Sequence, residues 1–453
     1  MKKLLFIFLF LPVFTEAQLS WYPVGSPGFS AGVAGGISLT IDKSGTPYVV
    51  YQDDSYHFGA TVMKYNGSNW VTVGIPGFSI QGAAYASIAI DNSGTPYVTY
   101  EDQASFTKAE VKKYDGSNWV TIGIEGFSVG QEGYNSIAID SNGTPYVVYS
   151  DNGNSGKATA MKYDGSSWVP LGSSIGFSDS AASFTHIAID RSGTPYVVYM
   201  DYGYNFGATV MKYNGGSWVT VGSAGFSAGM AYYTSIAIDT SGTPYVAYQD
   251  DGNQGKATVM KYDGSNWVTV GSAGFSSDTA YAPSIAIDSN SNTPYVAYQD
   301  AGNGHKATVM KYNGSSWVVV GNPGYSAGVG LAPYIAINRS GTLYVSYVDK
   351  AYGSKATVMR YGFPDDVKNT DNNAHSLAVY PNPNDGQMNV ALNHIGYSCL
   401  EVYNCIGSKV YTTILTGTEK NTDIDLQKLP SGVYYLHAVS SSECKNVPFM
   451  IER

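Results

Sequence analysis

The 453 residues carry 25 basic and 35 acidic side chains, a formal net charge of −10, and only 13% of them are charged. With no basic stripe this argues against a nucleic-acid partner, and 39 tyrosines with 52 glycines suit packed, twisted sheets rather than a disordered chain. No apolar run beyond the N-terminus reaches the ~18–20 residues of a membrane span.

Residues 1–17 read as a signal peptide. Lys2 and Lys3 precede an apolar run from Leu4 to Phe14, and Thr15-Glu16-Ala17 places small residues at the cleavage positions. No cysteine stands directly after that cleavage site, which argues against a lipoprotein anchor.

Residues 18–361 are a tandem repeat. All 7 tryptophans lie in it, at Trp21, Trp70, Trp119, Trp168, Trp218, Trp267 and Trp317, always 49 or 50 residues apart. A period of about 40–50 residues made of short strands is that of a propeller blade. One copy reads as four strands: Ser87–Asp91, Thr95–Tyr100, Ala109–Tyr114 and Trp119–Gly123, here called A to D. Asn-Gly or Asp-Gly before each later tryptophan marks the C-to-D hairpin, and a proline such as Pro96 opens strand B without losing an interior ladder bond. The seventh copy stops after its C strand, Ala356–Tyr361, while the chain begins with an orphan D strand at Trp21. The expected fold is therefore all-β: a seven-bladed β-propeller closed by the N-terminal strand and followed by a small C-terminal β-sandwich. The turn pattern Asp-x-x-Gly-x-x-Tyr-Val is similar to turns of sialidase Asp-box and NHL-type propellers. The repeat also resembles uncharacterised tandem-repeat surface propellers.

Residues 362–375 are polar and break the repeat, so they read as a linker. Residues 376–453 hold short alternating strands and all three cysteines, Cys399, Cys405 and Cys444, which allow at most one internal disulfide and match no zinc spacing. In order come Tyr380-Pro381-Asn382-Pro383, the turn Asn404-Cys405-Ile406-Gly407, and Leu429-Pro430-Ser431-Gly432-Val433-Tyr434. This series resembles the type A C-terminal sorting domain of the type IX secretion system of Bacteroidota. The resemblance implies the secretion machinery as a partner, passage through the outer membrane, and a secreted or surface-attached product.

Within the repeat, the A-to-B and C-to-D turns are near copies, whereas the B-to-C and D-to-A loops differ and would form the binding face. Tyr85, Tyr134, Phe184 and Tyr233 share one offset, two residues before strand A, where the other copies carry Gly36, Ala282 and Ala332. Tyr56, Phe106 and Tyr204 add rings from B-to-C loops. Flat rings suit sugars, while the plainer reading is that they plug the channel mouth. Asp53, Asp102, Asp151, Asp201, Asp250, Asp300 and Asp349 follow each B strand. Seven equal copies favour a structural job on loop amides, and calcium is the one cofactor they could hold. Catalysis needs asymmetry, and the nearest is Glu101, Asp102, Glu110, Glu125 and Glu132, a potential glycosidase-like pair. Only four arginines are present, without convergence, which disfavours a sialidase. His57, His186 and His305 sit at unrelated offsets and form no metal triad, and no Ser-His-Asp arrangement or phosphate loop stands out. The reading is a monomeric, non-catalytic module for a surface glycan or protein. A secreted carbohydrate-active hydrolase or lyase, or a purely structural surface protein, are the alternatives.

Overall fold

A computed structural model describes residues 19–79, 81–172, 175–362, 377–380, 382, 384–392, 396–404, 407–440 and 444–452. The expected signal peptide and most of the expected linker lie outside these residues. Contacts divide the chain into two compact units, one spanning Trp21–Gly362 and one containing the C-terminal segment.

From Ser20 to Gly362 the chain forms seven four-stranded antiparallel sheets in tandem, like the blades of a propeller. The second sheet is typical: Ala83–Ile90, Pro96–Asp102, Lys108–Tyr114 and Trp119–Thr121, each strand paired with the next. The seventh comprises Gly330–Ile337, Leu343–Asp349 and Lys355–Gly362, and its fourth strand is Ser20–Pro23. B strands are buried on both sides, so Val98, Val147, Val197, Val246, Val296 and Val345 are fully inaccessible. No sheet buries this surface alone; one apolar cluster joins Val50 and Val62 of the first sheet to Ile88 and Val98 of the second.

The tryptophans join the sheets. Each indole N–H donates to a backbone carbonyl of the preceding sheet: Trp119 to Val73 at 2.7 Å, Trp168 to Ile122 at 2.8 Å, Trp267 to Val221 at 2.7 Å. Trp70 donates to Val24 at 2.6 Å and Trp21 to Val320 at 2.8 Å. A phenylalanine from a Gly-Phe-Ser segment stacks on the same indole, as Phe78 on Trp119 with centroids 4.4 Å apart and planes 14° apart. Tyr325 takes that place on Trp21 at 4.2 Å. The adjoining serine accepts from a C-strand amide, Ala60 N–H to Ser79 Oγ at 3.0 Å. This Gly-Phe-Ser segment was not singled out in the sequence. Gly74, at φ 71°, lies against the indole, where a Cβ would come within 3.0 Å of Trp119 Cδ1.

One sequence expectation needs correction. Strand A is longer than expected, starting at Ala83 rather than Ser87 in the second sheet, with a bulge between Ala84 and Ser87. Each B-to-C loop holds one 3-10 turn, such as Asp54–Tyr56. Both arise because the chain must change direction at the sheet end while its loop amides find acceptors.

In the C-terminal unit, Leu377–Tyr380, Gln387–Leu392 and Asn421–Asp425 form one sheet, and Tyr397–Asn404, Lys409–Ile414, Gly432–Ser440 and Cys444–Ile451 another. Val390, Leu400, Leu436, Phe449 and Ile451 from both sheets share one core. At the ends of the Asn-x-x-Gly motif, Gly407 N–H donates to Asn404 O at 3.0 Å. Cys405 lies outside the described residues.

Trp119→Ala should cost about 3–5 kcal/mol, and Trp119→Phe less, because it loses the hydrogen bond but keeps much of the stack. Urea unfolding of both variants checks the order; a Trp119→Phe variant as stable as the parent would deny the indole N–H its role.

Candidate functional site

The strand-A bulge places its residue in the left-handed region in all seven sheets: Tyr85 φ 51°, Tyr134 58°, Phe184 53°, Tyr233 53°, Ala282 47°, Ala332 46° and Gly36 39°. Side chains there therefore leave the sheet and turn to the mouth of one central cavity of about 240 Å³, which all seven positions line. The four rings form a continuous arc. Tyr85 and Tyr134 have centroids 5.1 Å apart, Tyr134 and Phe184 4.7 Å, Phe184 and Tyr233 4.7 Å. Gly36, Ala282 and Ala332 leave the opposite side of the mouth open. Tyr85 is 48% and Tyr233 43% exposed, so much of the aromatic surface meets solvent. Threonines brace the arc from the next sheet: Thr185 Oγ1 donates to Tyr134 O and Thr234 Oγ1 to Phe184 O, both at 2.6 Å.

The floor beneath is polar. Ser87, Ser136, Ser235 and Ser284 each accept an amide from the next sheet's A strand at 3.2–3.4 Å. His186 stands in the serine's place in the fourth sheet, its Nδ1 accepting from Ile236 N–H at 3.3 Å, and its Nε2 meets Tyr334 Oη across the cavity at 3.4 Å. Burial pushes the His186 imidazole down to about 4, so it is neutral at physiological pH. The cavity is thus a cup with a neutral floor and an aromatic lip.

The structure separates the other sequence candidates from this cup. Tyr56, Phe106 and Tyr204 do not line it. Tyr56 and Tyr204 lie over Gly77 and Gly225, where a Cβ would come within 2.3 and 2.5 Å of theirs, and Phe106 is 83% exposed. The seven aspartates are buried at the starts of the 3-10 turns. Six accept a turn amide, as Asp151 from Gly153 at 2.9 Å, while Asp250 accepts from Asn253 Nδ2 and Thr258 Oγ1, both at 2.8 Å. Among the described residues no three His, Cys, Asp or Glu side chains gather at metal-binding distance.

Of the five acids singled out, Glu110 is spent on Lys112 at 2.8 Å and Thr121 at 2.8 Å, Asp102 caps its turn at Ala104, and Glu125 is exposed. Glu101 and Glu132 instead line one further cavity, of about 460 Å³, which shares Tyr85 and Tyr134 with the cup. Asn135 Nδ2 donates to Glu132 Oε1 at 2.6 Å. Burial raises both carboxyls, Glu132 well above the usual range, with the charge of Glu101 adding to it.

Residues 378–452 match the secretion system C-terminal sorting domain family. The chain is therefore handled by the type IX system, and it is exported and either secreted or attached at the cell surface. The repeat region resembles lectin propellers. The BP39L lectin of Burkholderia pseudomallei superposes with a TM-score of 0.51 at 14% identity, over 71% of this chain and 97% of that one. The polysaccharide lyase Uly1 does so with 0.50 at 10% identity, over 73% and 90%. At such identities the likeness is one of fold. No curated protein matches the chain significantly. Among the described residues no helix is long and apolar enough to cross a membrane.

Two outcomes follow from this geometry. Tyr134→Gly should be more stable than Tyr134→Ala by about 1 kcal/mol, since only glycine escapes the left-handed strain; equal melting temperatures would contradict it. Glu132 binds its proton more tightly folded than unfolded, so its contribution is complete below the unfolded value and is lost as pH rises through the folded one. Glu132→Gln should therefore match the parent in urea unfolding near about pH 4 and exceed it near about pH 8; parallel pH profiles would refute the assignment.

Proposed function

We propose that this exported chain is a non-catalytic glycan-binding module of the bacterial surface, a seven-bladed ring closed by its own N-terminal strand. The single observation that carries the reading is the arc of Tyr85, Tyr134, Phe184 and Tyr233 on a strained bulge. Four left-handed aromatic residues cost folding energy, and such strain is retained where a surface is needed. Their tilted, partly exposed faces fit the apolar faces of pyranose rings, and the open side of the cup leaves room for an extended chain. Lectins among the structural neighbours support the same class of ligand.

Closure is supported by Trp21 reaching Val320, Trp70 reaching Val24, and Val24 N–H donating to Val358 O at 2.9 Å. The C-terminal unit is read as a small sandwich, Met1–Ala17 as a cleaved leader, residues 362–375 as a linker and the source as a member of the Bacteroidota. The ring works as a monomer and needs no cofactor.

The test is retention of the purified chain on immobilised neutral polysaccharides, with released sugars assayed in the same wells. Tyr85→Ala, Tyr134→Ala and Tyr233→Ala combined should abolish retention without unfolding the ring, since each stacked ring contributes about 0.5–1.5 kcal/mol. Undiminished retention would sink the reading. Released sugar would give Glu101 and Glu132 a cleaving role in place of a binding one.

A further inference from the structure

The cavity beside the cup has a composition that a neutral sugar does not require. Glu132 lines this cavity but is only 4% exposed, and its Oε2, itself buried, has no hydrogen-bond partner. Glu101 faces the same space, and both carboxyls act electrostatically on Tyr85. Among the described residues no lysine, arginine or histidine lines the cavity. Two acids without a counter-cation, one buried with an empty acceptor, face the rings of Tyr85, Tyr134 and Tyr202. Carboxylates beside aromatic faces are the complement of an ammonium group, which gains from both the charge and the ring quadrupole.

We propose that this cavity binds the protonated amine of an amino sugar, with Glu132 Oε2 and the Glu101 carboxylate accepting its N–H groups. The inference rests on the glycan-binding reading and names the sugar class for one part of that surface. A sugar fits better than a lysine side chain because the wall also offers Thr107, Gln131, Asn152 and Ser183, polar partners for ring hydroxyls that an alkyl chain lacks. The size of about 460 Å³ accommodates a pyranose with its neighbour rather than a bare inorganic ion. Tyr134 and Tyr85 stand between this cavity and the cup, so a polysaccharide lying on the aromatic arc could place one amino residue here. The net charge of −10 favours approach of a polycation.

The experiment is calorimetric titration of the full chain with tetraglucosamine and, separately, with its fully N-acetylated counterpart. The free amine should bind about tenfold more tightly, the worth of one buried charge-assisted hydrogen bond. Glu132→Gln and Glu101→Gln should each erase that preference while leaving retention on neutral polysaccharide unchanged. Glu101 is partly exposed, so its variant keeps the test valid if the buried substitution disturbs folding. Equal affinity for the two oligosaccharides, or a preference that survives both variants, would overturn the proposal. Poly-lysine competing as well as tetraglucosamine would overturn the sugar assignment. Amine-dependent binding by a chain that retains no neutral polysaccharide would still support this cavity and sink only the reading of the aromatic arc.

Discussion

The bond from each indole N–H to a carbonyl of the preceding sheet is the constraint on which the repeat depends. The D strands are only three or four residues long, too short to hold an outer edge by ladder bonds alone. The indole fixes that edge to its neighbour, and the stacked phenylalanine shields the bond from water, where it is worth more. The glycine beneath leaves room for the approach. Because every sheet is fastened in the same way, the A strands converge, and their bulges open on a common cavity.

The backbone of that cavity is nearly seven-fold, but its side chains are not. The same left-handed position carries rings in four consecutive sheets and small residues in three. The backbone repeats because the packing between sheets repeats; the side chains at the mouth are free to differ because no neighbour demands them. A surface with rings on one side and space on the other follows from that freedom, as does the replacement of one floor serine by His186.

The acids show how position in the sheet decides chemistry. Glu110 and Glu132 are both buried, yet Glu110 lies beside Lys112 and Thr121 and is satisfied, whereas Glu132 has Asn135 alone and keeps one oxygen open. The repeated aspartates are consumed by the turns they start, which is why a ring of seven carboxylates does not become a ring of seven sites.

The tryptophan period, the strand-and-turn alternation and the orphan strand at Trp21 determined the repeat architecture without coordinates, because strand pairing and turn chemistry are local. The motif order from Tyr380 to Tyr434 likewise determined the export route, since a sorting signal is read from a contiguous segment. The offset shared by Tyr85, Tyr134, Phe184 and Tyr233 was legible as a set, but not their contact, their bulge or their positive φ. Nor could the sequence separate these rings from Tyr56, Phe106 and Tyr204, which have the same chemistry and lie elsewhere. Glu132 was one of five indistinguishable acids until the fold buried it beside Glu101, in a cavity that no lysine lines. Those outcomes depend on which sheets lie side by side, and burial and charge at a site are sums over neighbours distant in the chain.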